Sequence, residues 1–151
     1  RGVRVRRLTR ADARNVYEQR VLLEPWAVAE ATRSGRADFT AADRACAQSD
    51  ALLEVEDWTA MVLMNRRFHR ALYSQCPNPM VVATLDAMQD LTALATLSVF
   101  WEISPTAAPE HEEHRETLRL ANAGEADAAA DVMRIHISKS IQRVDALDAD
   151  P

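Results

Sequence analysis

Glycine is nearly missing from this sequence, with three in 151 residues, and alternating apolar runs that would signal strands are almost absent as well. Those two absences leave a β-sandwich, a barrel or a glycine-rich phosphate loop without material. Alanine is abundant and the six prolines fall mostly near expected helix ends, the composition of an all-helical protein. No run of eighteen apolar residues is present, which excludes a membrane-spanning helix; the longest apolar stretch, Leu91 to Trp101, is interrupted by Thr92, Thr96 and Ser98. The only two cysteines, Cys46 and Cys76, stand thirty residues apart without a secretory signal, so structural thiols in a reducing cytoplasmic compartment are expected. Positive charge is short too. A formal net charge of -5 argues against the body of the chain as a nucleic-acid binder. Arg1, Arg4, Arg6 and Arg7 are the exception and read as a linker leaving another segment. The length fits one domain able to bury roughly two-thirds of its unfolded surface, so neither a disulfide nor a structural metal is needed for folding.

What the sequence does contain is helix punctuation. Thr9 with Asp12 forms a capping box opening a first helix that stops near Ser34-Gly35, with Val16, Leu23, Trp26, Ala27 and Glu30 as its core stripe and Arg20 and Glu24 on or beside it. Thr40 with Asp43 repeats the pattern and starts a second helix, and Asp57 caps a third that carries Met61, Val62, Asn65, Phe68, His69 and Leu72. Asn78-Pro79 opens a fourth, expected to reach Glu102 with Val82, Leu85, Met88, Leu91, Leu94 and Ala95 buried. A fifth begins near Pro109 and carries His111, His114, Leu118 and Ala121. Gly124 ends it, and a sixth runs from Glu125 to Leu147 with Ala128, Val132, Ile135, His136 and Val144 toward one side. About six helices with short connections predict an all-α antiparallel bundle enclosing a ligand or metal cavity.

Three of the four histidines and one asparagine have spacings that suit a single metal site. Asn65 and His69, four apart, share one helical face. His114 and His136 lie ten residues before and twelve after Gly124, so an antiparallel hairpin brings them level. Three imidazoles and an oxygen suit zinc, nickel or another late first-row divalent ion, with positions left for water or a carboxylate. Each residue also has a plainer reading. A lone histidine is usually a surface or hydrogen-bonded core residue, a mid-helix asparagine is usually exposed, and Arg20 by default is solvated or ion-paired, with Glu24 or a neighbouring helix as partner. His111 competes with His114 as a ligand. A metal-dependent enzyme acting on a small organic acid is one alternative, although no catalytic nucleophile or base is evident and Glu113 is expected to point off the ligand face. A metal-free helical dimerisation module is the other. The acidic run Glu110, Glu112, Glu113 and Glu116 reads as charge favourable to a helix start.

Four segments, in order, resemble the effector-binding C-terminal domain of GntR-family transcription regulators of the FadR type. They are Tyr17-Glu18-Gln19-Arg20-Val21-Leu22-Leu23-Glu24, Asn65-Arg66-Arg67-Phe68-His69, Cys76-Pro77-Asn78-Pro79-Met80, and Glu113-His114-Arg115 through Gly124-Glu125-Ala126-Asp127 to Met133-Arg134-Ile135-His136. The resemblance implies a divalent metal, zinc foremost, on Asn65, His69, His114 and His136, and gives His111 no counterpart. It implies a small carboxylate effector held by Arg20, with Asn78 beside it. It also implies a homodimer, with the first and fourth helices (Trp26, Leu91) as candidate interfaces, and DNA binding only through a winged helix-turn-helix domain absent from this chain. Residues 1–8 then form the linker and 9–151 the effector-binding and dimerisation domain, nearest the shorter, VanR-like group. The family usually has Asp where Asn65 stands. A neutral amide leaves the ion its full positive charge, which is expected to weaken metal affinity and strengthen attraction for an anionic effector.

Overall fold

The computed structural model describes residues 8–96 and 107–148. Its elements are α1 (Arg10–Arg33), α2 (Thr40–Glu54), α3 (Trp58–Tyr73), α4 (Pro79–Ala95), α5 (Ala107–Asn122) and α6 (Ala126–Asp148). The protein is therefore an all-α bundle, as its composition predicts. The Arg1 to Arg7 lead and the expected extension of the fourth helix to Glu102 lie outside the described residues.

Local chemistry sets most of the helix starts. Thr9 and Asp12 form the full reciprocal capping box, and Asp57 accepts from the Ala60 amide at 3.0 Å. The second helix starts differently from the expected Thr40-Asp43 box: Asp38 Oδ1 accepts from the Thr40 amide at 2.9 Å, and Thr40 is already helical. Between α5 and α6 the chain reverses through Gly124 at φ 77°. Glu125 N–H donates to the Leu120 carbonyl and Gly124 N–H to the Ala121 carbonyl, the paired bonds of a Schellman end. That turn sets the two histidine-bearing helices side by side.

α1 is the central element, packing chiefly against α6 and α4, while α2 pairs with α3 and α5 with α6. Its buried face mixes Ala13, Val16, Ala27, Val28 and Ala31 with Tyr17, Arg20 and Glu24. The apolar core continues through Phe68, Leu72, Tyr73, Leu85, Leu118, Met133, Ile137 and Val144. Leu8 joins that core, so packing begins one residue inside the expected linker.

Several expected core residues are turned outward. Trp26 is 43% exposed, Leu94 38% and Ile135 55%. Only Leu85 and Ala95 of the apolar stripe expected on α4 are buried, and the other inward positions belong to Gln89 and Thr92. On α6 the inward stripe is Ala129, Met133, His136, Ile137, Ser140 and Val144. Hydrophobicity alone assigns these faces wrongly because the bundle interior carries a polar seam along α1.

Adding a methyl group at Gly124 meets no atom within 4 Å, so the cost of Gly124→Ala is that of the left-handed backbone alone, about 1–2 kcal/mol. Thermal unfolding followed by circular dichroism is expected to show a melting temperature lower by a few degrees. An unchanged midpoint would mean the hairpin does not depend on this turn.

Candidate metal centre

Side chains from three helices meet at one point beside α1. α3 supplies His69, α5 supplies His114 and α6 supplies His136, all buried, with one nitrogen of each within 4.8 Å of the others. The Schellman turn places His114 and His136 level, with Nε2 atoms 3.2 Å apart. Two nitrogens held about 2.05 Å from one tetrahedral ion are separated by about 3.3 Å, so this spacing suits shared coordination. Phe68 stacks on His114 with ring centroids 4.3 Å apart and closes one side of the cluster.

Two carboxylates fix the imidazole tautomers. His69 Nδ1 lies 2.5 Å from Glu24 Oε1, and Arg20 Nε donates to Glu24 Oε2 at 2.9 Å. Burial pushes the Glu24 carboxyl up, but Arg20 and His69 outweigh it and hold it at about 2. Glu24 is therefore ionised and only accepts, so His69 must carry its proton on Nδ1 and present a lone pair on Nε2. That Nε2 is buried and has no partner. Arg20 Nη2, 3.1 Å from the same Nδ1, thus meets an N–H rather than an acceptor.

His136 repeats the arrangement: its Nδ1 donates to Glu113 Oε2 at 2.8 Å, while Lys139 holds Glu113 Oε1. Burial raises the Glu113 carboxyl, and the bonds from His136 and Lys139 reverse the shift downward. With its proton on Nδ1, His136 accepts at Nε2, and His114 Nε2–H donates to it in the metal-free protein. A divalent ion held there would take the place of that hydrogen bond, with the His114 proton on Nδ1 instead. Carboxylates behind ligating histidines are the usual second layer of metal sites. Glu113 does point off the face of His114, as expected, yet it serves the histidine of the next helix. Single-helix spacing cannot reveal that contact.

Asn65, one turn before His69 on α3, is half-buried, and its Oδ1 is buried with no partner. Two orphaned acceptors on one helical face, beside two converging imidazole nitrogens, are the donor set a divalent cation satisfies. His111 stands outside the group and donates from Nε2 to Asp50 Oδ1 at 2.7 Å, which fits its exclusion. Arg20 is 2% exposed and paired with Glu24, the default expected for it. Its outer edge is poorly served, with only a 3.4 Å contact from Nη1 to Thr92 Oγ1. Asn78 is not brought to the cluster: it is exposed at the start of α4, its Oδ1 accepting from the Met80 and Val81 amides.

Burial, opposed by Glu24, brings His69 down to about 4, and burial with the neighbouring histidines pushes His114 well below its ordinary value. Both shifts are downward, so their stabilising contribution is complete above about pH 6.5, the unfolded value, and is lost as pH falls toward 4. The metal-free protein is therefore expected to show a melting temperature that declines steadily between pH 6.5 and 4. A flat profile across that window would refute neutral burial of the pair.

Comparison with known proteins agrees with this architecture. The FCD domain family model matches residues 15–139. A GntR-family transcriptional regulator from Pseudomonas syringae pathovar tomato has a similar structure at 23% identity and TM-score 0.73, with 95% of this chain and 60% of that one covered. A GntR protein from Streptococcus agalactiae is similar at 22% identity and TM-score 0.70, covering 87% of this chain and 58% of the other. This chain thus spans about three-fifths of the length of those proteins. None of the curated proteins compared matches it. The family is one of transcription regulators rather than enzymes, and the chain belongs to it as an FCD domain, the C-terminal domain of GntR-family regulators.

Proposed function

We propose that this domain is the metal-dependent sensor of a bacterial transcription regulator, binding a small carboxylate effector and controlling DNA binding by a winged helix-turn-helix domain outside this chain. The observation that carries the reading is the pair of locked tautomers: Glu24 and Glu113 turn the Nε2 lone pairs of His69 and His136 toward each other and toward His114. His69, His114 and His136 would hold the ion, with Asn65 Oδ1 as the fourth donor. Nitrogen-rich neutral ligands favour zinc, with nickel or another late first-row ion as substitutes. The ion supplies positive charge for an anionic ligand. Arg20 offers its outer guanidinium edge, held only by the long contact to Thr92, to the same carboxylate in a bidentate contact.

In this reading the chain works as a homodimer in the cytoplasm. No described helix is long and apolar enough to cross a membrane. The exposed Met80 and Leu94 on α4 and Leu22 and Trp26 on α1 offer apolar surface for a second copy. The effector acts by preferring one arrangement of the paired DNA readers, since a ligand with equal affinity for both shifts nothing.

Metal content and effector binding test the reading together. Elemental analysis after zinc reconstitution and dialysis is expected to give about one ion per chain, falling below about half in His136→Ala. Asn65→Asp adds a charged ligand and is expected to retain zinc more tightly; no gain would remove Asn65 from the ligand set. A thermal-shift screen of mono-, di- and tricarboxylates is expected to yield ligands that stabilise only the zinc-loaded protein. Their effect should vanish in Arg20→Lys, which keeps a charge beside Glu24 but loses the planar fork. Carboxylates that stabilise the metal-free protein equally, or product formation from a bound acid, would overturn the sensor.

A further inference from the structure

Polar residues buried between α1 and α4 form a ladder that continues from Glu24 beyond the histidine cluster. Three rungs cross the antiparallel seam. Tyr17 bonds to the Thr96 side chain, Arg20 Nη1 donates to Thr92 Oγ1 at 3.4 Å, and Gln89 Nε2 donates to Glu24 Oε2 at 3.5 Å. The last two sit at the outer limit of hydrogen bonding. They keep these groups in register without satisfying them.

Gln89 is the extreme case. It is 1% exposed, and its side-chain oxygen has no partner among the described residues. Exchanging the amide nitrogen and oxygen does not relieve this, because the ionised Glu24 carboxylate only accepts and would then face the amide oxygen. Glu24 therefore fixes the amide with its nitrogen inward and leaves Oε1 as a buried acceptor awaiting a donor. Native interiors seldom leave such an atom unpaired.

We propose that Gln89 reads a hydroxyl group on the effector, which makes the ligand a small hydroxycarboxylate rather than a plain carboxylate. This rests on the carboxylate-sensing reading above. A carboxylate that replaces the long Thr92 contact on the outer edge of Arg20 would lie against Thr92, and Gln89 is the residue just under one turn away on the same face of α4. A hydroxyl within a few bonds of the carboxylate then donates to Gln89 Oε1. An ammonium donor is disfavoured, because Arg20 and a bound cation already occupy the site with positive charge. A site built to pair a ligand hydroxyl discriminates strongly against the analogue that lacks it, since the buried protein group is then left unpaired.

Calorimetric titration of the zinc-loaded protein with lactate against propionate, and malate against succinate, tests the assignment. The hydroxylated member of at least one pair is expected to bind about tenfold or more tightly. In Gln89→Leu the ratio should fall to within about twofold of one, through weaker binding of the hydroxy acid. Gln89→Met, closer in length and flexibility, provides the same measurement should the leucine variant not fold. Equal affinities in the unaltered protein, or a hydroxyl preference that survives both variants, would overturn the role of Gln89. Arg20-dependent binding without hydroxyl preference sinks this inference alone. Absence of zinc-dependent binding by carboxylates of either kind, including the wider screen above, sinks the sensor reading with it.

Discussion

The interior of this bundle is organised around one anion. Glu24 is fully buried, and removing a carboxylate from water costs several kcal/mol even after the protein relaxes around it. Its charge is tolerated because Arg20 on the same helix takes one oxygen and His69 from α3 takes the other. Gln89 from α4 completes the surround. The relative register of α1, α3 and α4 therefore answers to this carboxylate, since sliding any of the three exposes a buried charge to apolar surface. Pro25 follows immediately in the chain, and α1 continues through it despite the backbone bond it gives up.

The same anion connects packing to chemistry. By accepting from Nδ1 of His69 it leaves the opposite nitrogen as a lone pair facing His114 and His136. Glu113 does this for His136 at a more open edge, where Lys139 reaches it from a largely exposed position. One carboxylate is locked inside the bundle and the other lies near its surface. The histidine cluster is thus anchored on a buried carboxylate on its inner side and on a more exposed one on its outer side.

Much of this was legible in the sequence where the determinants are local. Helix starts at Thr9, Asp57 and Asn78 follow from side chains bonding amides two or three residues on, so the residue pattern carries the information. The His69, His114 and His136 grouping was legible because Gly124 fixes a hairpin whose arms can be counted. Burial was the weaker inference. Trp26, Leu94 and Ile135 read as core and are exposed, while Gln89 and Thr92, which belong to no expected core stripe, are buried beside Arg20 and Glu24. A hydrophobicity pattern presumes that the interior is apolar, and it fails along the one seam where the interior is polar. The partnership of Glu113 with His136 was hidden for another reason: it crosses between helices, and no spacing within α5 encodes it. Asn78 caps α4 before Pro79, the role its local sequence specifies.

A seam of this kind suits a sensor better than a rigid core does. The rungs from Tyr17, Arg20 and Glu24 all start on α1, so displacement of α1 against α4 alters every rung together rather than one contact at a time. The beginning of α1 is tied to the end of α6, where Arg10 donates to the Leu147 carbonyl and Arg14 pairs with Asp145. Those exposed pairs contribute little to stability individually. The helix they join to α1 nevertheless packs along it and carries His136. A ligand held by Arg20 on α1 and Gln89 on α4, as proposed above, would span the boundary between those two helices. Whatever preference it has for one α1–α4 register becomes, by linkage, a preference for one arrangement of the domain.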